Sequence, residues 1–541
     1  MSSSRTAAPM AQVRGQSIVV ATMLAVGLLV LAALYGRIMG YDLRRDEFMF
    51  VPPAALLDDH ALYRDLFYNH VPYSAWLFRA VHQALPWLGL LAAARLTVFL
   101  AWLLLLGGAG WVGWRLTGSA LVAAVGPLSL ITADVLLGQT GMAATNNLLP
   151  LPFALLGLGF FAVALADPRP GFGQLLLAGV MLSVAAGMKA SAIAFVPAVA
   201  IGCFLVPRQL PFSVRLRHVV LPVALGGVIG ALPLFWYAAT APDLFFAHIL
   251  GYHSGPHVAY WQANAASEPG LALSPAGKLQ LSLSVWMVGA TLLALFLALL
   301  CLLLSWRGKR NARSGSSLEA AAVVAASVLT AAVLAFVPTP GFPQYYAAPL
   351  IGPPILIALS CRAMPEDSFR QIRPALGVAM LLMAVYGAPR LALGLNDLRH
   401  PDRLTPARLE RSADLLRETL VAARLDGAGP VATLSPLYPL AAGLPIYPEF
   451  SAGPFAYRVA PHTDARLRGL YAMAGPDDLP ALFSATPPAA ILTGFDPVLE
   501  APFEDYARAN DYTLMEMPRI SDRYGSARLW LASPDQRGER E

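Results

Sequence analysis

The chain is 541 residues long, 57% hydrophobic and only 13% charged, which excludes an ordinary soluble globular domain. A formal net charge of +5 is small for that length and gives a nucleic-acid reading no support. The cysteines, Cys203, Cys301 and Cys361, lie in or at the ends of apolar segments. Their spacing fits neither a disulfide framework nor a zinc site, and they read as small core residues.

Residues 1–16 carry Arg5 and Arg14 ahead of an apolar run from Ile18 to Tyr35. The run is long for a signal-peptide core, and Leu34-Tyr35-Gly36-Arg37 offers no small-x-small cleavage site, so a retained transmembrane helix is expected. A burst of charge follows at once, Tyr41-Asp42-Leu43-Arg44-Arg45-Asp46-Glu47, in a chain that otherwise avoids charge. After it come Pro52 to Arg64 and Ser74 to Leu91, whose apolar residues recur at helical spacing. Helices of that kind are expected to lie in the membrane interface. Between them runs an aromatic stretch that includes Tyr68-Asn69-His70-Val71-Pro72-Tyr73.

Further apolar runs begin near Leu96, Leu121, Leu148, Gln174, Ala190, Val219, Leu279, Leu318, Tyr345 and Ala375, giving about eleven crossings at roughly 20 residues each. Gln174 to Val206 is short for two of them. Two short helices with Lys189 at their outer turn avoid placing that lysine in lipid; one long tilted helix is the alternative. With a cytoplasmic N-terminus, the inner connections carry Arg115, Arg169, Arg208, Arg215, Arg217, Arg307, Lys309, Arg310, Arg313, Arg362, Arg370 and Arg373, as the positive-inside rule requires. The first outer loop breaks that rule with Arg37, Arg44, Arg45, Arg64 and Arg79, and it is expected to bind something anionic. An odd number of crossings leaves the C-terminus outside.

From about Asn396 the character changes: charge rises and turn residues recur. Arg408 to Leu425 reads as an amphipathic helix with Leu409, Leu415, Leu416, Leu420 and Val421 on one side. Pro430 to Leu434 and Ala489 to Thr493 read as short strands. The expected fold is a polytopic α-helical membrane protein, residues 1–395, followed by a small α/β domain on the outer face, residues 396–541.

Several residues on the outer side of this threading could carry chemistry. Asp46 with Glu47, at the membrane surface and hemmed by apolar helices, can act as a general base toward a hydroxyl or amine, or can be a solvated helix end. Arg44 and Arg45 can keep it ionised or hold a phosphate. Asn146 and Asn147 sit in a polar loop, or cap the next helix. Lys189 is an intramembrane charge and so a functional candidate. Tyr345, in Phe342-Pro343-Gln344-Tyr345, is a binding residue or an interface anchor. His253 and His257 are spaced as helical metal ligands would be, but Gly251, Gly255 and Pro256 argue against a helix there. That stretch reads as a mobile lid over a cleft. No cofactor is assigned, a divalent metal being the alternative.

The arrangement resembles the GT-C superfamily of membrane glycosyltransferases, and within it the branch of protein O-mannosyltransferases and lipid A aminoarabinose transferases (glycosyltransferase family 39-like). The likeness rests on Asp46-Glu47 just after the first span and on the aromatic segment Tyr68-Asn69-His70-Val71-Pro72. It rests also on the lysine-bearing turn Gly187-Met188-Lys189 and on the aromatic approach Phe342 to Tyr345. The chain departs from the pattern at Asn69-His70-Val71, where relatives often carry an acidic or lysine-containing step. The resemblance implies a polyprenyl phosphate carrying one sugar as donor and a glycan, lipid or protein acceptor. It implies a bacterial inner-membrane location, with the C-terminus periplasmic, and transfer with inversion at the outer face. Asp46 would be the base and Glu47 its neighbour. Arg44, Arg45, Arg64 and Lys189 would meet the phosphate, and His70, Tyr73, Asn146, Asn147 and Tyr345 the substrates. A surface polysaccharide polymerase or ligase and a transporter of lipid-linked sugars are the alternatives; broken mid-membrane helices in pseudo-symmetric halves, which a transporter favours, are not evident.

Overall fold

The computed structural model describes residues 7–167, 170–266, 271–306 and 312–533. Of the charges used above for orientation, Arg5, Arg169, Arg307, Lys309 and Arg310 lie outside them. Among the described residues seven helical stretches are long and apolar enough to cross a membrane: Ala21–Gly40, Leu90–Thr117, Phe212–Thr240, Gly289–Trp306, Gly315–Leu334, Pro343–Ala363 and Glu366–Leu398. The remaining apolar runs fold as the shorter helices Ala120–Ile131, Pro150–Ala166, Phe172–Met188 and Ala190–Leu205. A count of about eleven crossings therefore requires these shorter helices to span as well.

Close approaches at glycines help hold the bundle. Gly36 faces Gly394 where the first helix crosses Glu366–Leu398, and a Cβ on either would strike the other helix's backbone. Gly179 and Gly226 make the same kind of seam between Phe172–Met188 and Leu221–Thr240. Small residues at such crossings let backbones pack, which is the main attraction available between helices in lipid. At one end of the bundle Arg362 donates to the carbonyls of Leu116 (3.0 Å) and Ala166 (2.8 Å). A cation there meets the negative ends of two helices.

Gln174 to Val206 is two helices. Lys189 is extended (φ −152°, ψ 122°) between Phe172–Met188 and the 3₁₀ turn Ala190–Phe195 that opens the next. The run expected from Leu279 is also broken: Pro275–Trp286 ends before Gly289, which has φ +48°, and the crossing starts there. Pro52 to Arg64 is not one helix. It stops at Leu56, Asp65 accepts from the Ala61 N–H at 2.7 Å, and Tyr63 takes a left-handed φ of 70°. Ser74 to Leu91 is not one helix: Tyr73–Ala84 is followed by a 3₁₀ turn, Pro86–Leu88, and Leu90 already opens the next long helix.

The stretch expected to be a lid without helix is helical. Pro242–Phe246, Ala247–Gly251, Tyr252–Ser254 and Pro256–Ala263 follow one another. Gly255 supplies the break (φ −115°, ψ −99°) and Pro256 opens the next helix, where a missing N–H does no harm. The glycine and proline thus mark a joint between helices.

After Leu398, the helix Thr405–Ala422 buries Leu409, Leu416 and Leu420, while Val421 is turned outward. A mixed four-stranded sheet follows, in the order β1-β2-β4-β3, with β1 at Val431–Ala432, β2 at Ala490–Thr493, β3 at Thr513–Ser521 and β4 at Ser526–Leu531. β1 pairs parallel to β2, and β4 pairs antiparallel to both β2 and β3. The two strands expected from sequence are β1 and β2; the β3–β4 hairpin was not anticipated. All three cysteines are buried and free.

Candidate active site

The charged burst after the first helix is divided among four tasks. Asp42 pairs with Arg408 of the tail (3.5 Å), and Arg45 with Asp496 just past β2 (2.9 Å). Glu47 pairs with Arg95, both side chains fully buried, through Arg95 Nε to Oε1 (3.0 Å) and Nη2 to Oε2 (2.9 Å). The Glu47 carboxylate also accepts from the N–H groups of Ala144 and Arg44. Arg95 Nη1 meanwhile reaches the carbonyls of Ile38, Met39 and Tyr41. Glu47 is thus consumed in tying the loop to the first helix and to Leu90–Thr117. Asp46 is the carboxylate left facing open space.

That space is a cavity of about 880 Å³. Asp46 lies half-buried in its wall and accepts a hydrogen bond from Gln139 Nε2. Gln139 is presented by the Leu136–Thr140 turn, which Trp102 Nε1 steadies by donating to the Gly141 carbonyl (2.8 Å). Burial raises the Asp46 carboxyl above its usual range; Arg458, Gln139 and Lys189 oppose the rise, and Glu47 adds to it. Lys189 also lines the cavity, donates to Asn147 Oδ1 (2.6 Å) and lies 5.2 Å from the Tyr345 ring. Burial pushes its ammonium down to about 8 despite the attraction of Asp46. Arg458, contributed by the tail, lies against the rings of Trp261, Phe455 and Tyr260 at 4.8–5.1 Å. Its Nε has no hydrogen-bond partner.

Of the residues expected from sequence, Asp46, Arg45, His70, Asn146, Asn147, Lys189 and Tyr345 all line this cavity. Four do not. Glu47 is buried behind it. Arg64 is 71% exposed and pairs with its neighbour Asp65. Arg44 bonds the Tyr41 hydroxyl (3.0 Å) and stacks on its ring. Tyr73 packs its ring where a Cβ on Gly187 would sit and donates to the Gly230 carbonyl (2.7 Å). It braces the turn that carries Lys189. Arg45 reaches the cavity with its charge already met by Asp496 and its guanidinium over Tyr524 (4.6 Å). Asn147 orients Lys189 and is itself held by Thr145 Oγ1 (2.9 Å).

Gln139, Arg458, Asn69 and Trp261 also line the cavity, and sequence reasoning gave none of them a site role. Gln139 lies at the start of the polar loop that holds Asn146 and Asn147. Arg458 had no local signal, because Phe455 apart its partners Tyr260, Trp261 and Asp46 lie far away in sequence. His253 and His257 flank the helical joint, with rings 5.7 Å apart. Among the described residues no three His, Cys, Asp or Glu side chains are placed to hold a metal ion.

No model of a protein family matches the chain, and no curated protein matches it. Solved structures do. ArnT from Cupriavidus metallidurans in the apo state aligns with a TM-score of 0.60 at 17% identity, covering 95% of this chain and 100% of that one. The same protein bound to undecaprenyl phosphate aligns at 0.59 with 15% identity, covering 95% and 99%. At such identity what is shared over nearly the whole of both chains is the architecture: this chain is a multi-pass membrane protein with a fold similar to that of ArnT.

Proposed function

We propose that the protein is an inverting glycosyltransferase that moves one sugar from a polyprenyl phosphate to a glycan, lipid or protein acceptor at the outer face of a bacterial inner membrane. In this reading the N-terminus is cytoplasmic and residues 396–541 form a periplasmic domain. The observation that carries it is the pairing of one free carboxylate, Asp46, with two cations, Lys189 and Arg458, in a single large cavity. The ArnT fold supports it, since one ArnT structure holds undecaprenyl phosphate.

The chemistry follows from those charges. Asp46 takes the proton of the acceptor hydroxyl or amine as that atom attacks the anomeric carbon. The bond from the anomeric carbon to the phosphate oxygen breaks, and its electron pair leaves with the polyprenyl phosphate. Lys189 and Arg458 stabilise the charge that grows on the leaving phosphate, so no separate acid is required. Burial raises the affinity of Asp46 for the proton it must take, while the cations keep it ionised beforehand. Glu47 and Tyr73 are positioning residues: one fixes the loop of the base and the other fixes the turn of the lysine. His70 is stacked on Phe50 (4.7 Å) and pushed well below the usual histidine range by burial and by neighbouring His253 and Lys189. It is therefore a neutral hydrogen-bonding group suited to a sugar hydroxyl.

The test is direct. The purified chain in lipid nanodiscs should bind undecaprenyl phosphate. With undecaprenyl phosphate bearing a labelled sugar and an envelope extract as acceptor, it should release undecaprenyl phosphate in step with transfer. Failure to bind undecaprenyl phosphate would overturn the proposal.

A further inference from the structure

One wall of the cavity is left unexplained by the base and its two cations. Asn69 and Trp261 line it at 4% and 6% exposure, yet Asn69 Oδ1 and Trp261 Nε1 have no hydrogen-bond partner, and neither has His257 Nδ1. Buried polar atoms in folded proteins are almost always satisfied. Three orphans along one cavity wall mark a place where a ligand supplies the missing bonds.

The wall is built. His253, His257 and Trp261 recur every four residues across the helical joint, with ring centroids 5.7 and 6.2 Å apart. His253 Nε2 meets the Asn69 carbonyl at 2.7 Å and so ties this helical segment to the first loop. Phe342 continues the surface, 6.3 Å from Trp261 and 5.6 Å from Tyr345. Hydrogen-bonding atoms set among aromatic carbon suit a ring that carries hydroxyls on apolar faces.

The charges decide which ring. Among the described residues lining the cavity the carboxylates are Asp46 and Asp134. Asp46 is bonded by Gln139, and Asp134 is paired with Arg390. The charge beside Trp261 is the Arg458 guanidinium, 4.8 Å away. Burial also drives His257 down to about 3 and lowers His253, so both are neutral. An ammonium placed against Trp261 would meet the Arg458 guanidinium, which also offsets the charge of Asp46 in the same cavity.

We infer that Asn69, His257 and Trp261 form the subsite for the transferred sugar, and that it accepts a hydroxylated sugar without a basic nitrogen. The inference rests on the glycosyltransferase reading and adds the substrate class to it. Its test uses three probes on the full chain in nanodiscs: undecaprenyl phosphate, undecaprenyl-phosphate arabinose, and the aminoarabinose counterpart, which differs from it in one nitrogen. The arabinose donor is expected to bind at least about tenfold tighter than the amino donor. Trp261→Phe keeps an aromatic face under Arg458 and loses the N–H, so it should weaken the arabinose donor by about 2- to 10-fold and leave undecaprenyl phosphate unchanged. Asn69→Asp, which adds a carboxylate to the wall, should turn the preference toward the amino donor. Equal or tighter binding of the amino donor by the natural protein would overturn the inference, as would a Trp261→Phe effect equal on all three lipids. If undecaprenyl phosphate itself does not bind, the glycosyltransferase reading falls and this inference with it.

Discussion

Replacing Lys189 by Met removes a charge and little else, and its consequences can be worked out from the contacts. The ammonium bonds Asn147 and faces the Tyr345 ring; losing both costs about 1–2 kcal/mol. The methionine also relieves a desolvated charge, which offsets that loss, so the melting temperature should stay close to that of the natural protein. Donor binding should not stay close. A charge-assisted bond to phosphate is worth about 1.5–3 kcal/mol, or about 10- to 150-fold in Kd. The protonated lysine is the binding form and its free-enzyme value lies at about 8. Affinity should therefore be full below that pH and fall about tenfold per unit above it, until the lysine's whole contribution is gone. A phosphate monoester loses its own last proton near pH 6, so a fall on the alkaline side belongs to the protein. Titration of undecaprenyl phosphate into nanodisc samples between about pH 7 and 10 would show it. Lys189→Met should be weak and flat across that range, and Lys189→Arg, charged throughout, should be flat as well. Undiminished affinity in Lys189→Met, or a flat profile in the natural protein, would refute the phosphate role.

Three further outcomes follow from other contacts. Glu47→Gln leaves Arg95 buried without a counter-charge and should cost about 3–5 kcal/mol, read as a large loss of thermal stability in detergent; a melting curve like the natural one would contradict the anchoring role. Arg458→Met removes the main cation that holds Asp46 ionised, so the acid limb of the pH–rate profile should move to higher pH, because more of the base is protonated at any given pH; an unmoved limb would separate Arg458 from Asp46. Gly394→Ala places a methyl against the Ala33 carbonyl of the first helix and should destabilise by about 1–3 kcal/mol, whereas the same change at Gly377, which faces open space, should be nearly silent.

Much of this architecture was legible in the residues because lipid imposes a simple requirement: long apolar helices with charge at their ends. Asp46 stood out because carboxylates are rare beside such helices, and Lys189 because it interrupts one. What could not be read was how charges pair across distance. Glu47 and Asp46 are adjacent in sequence and look alike, yet Arg95 lies on one side of the loop and the cavity on the other. Arg64 looked as available as any cation until Asp65 folded back to meet it. Arg458 is one arginine among many in a polar tail, and only the tertiary fold brings it beside Trp261. The helices of the His253–His257 stretch were not legible for a local reason: Gly255 and Pro256 each disfavour helix continuation, and together they permit one helix to end and the next to begin.

The central claim is that Asp46 takes the proton from the acceptor while two cations hold the donor. Single-turnover transfer by Asp46→Asn, measured beside donor affinity on the same sample, tests it most directly. The account predicts that transfer falls by about 10²- to 10⁴-fold, while donor binding is retained or tightened, because a negative charge next to the phosphate has gone. Transfer by Asp46→Asn at the natural rate would contradict it.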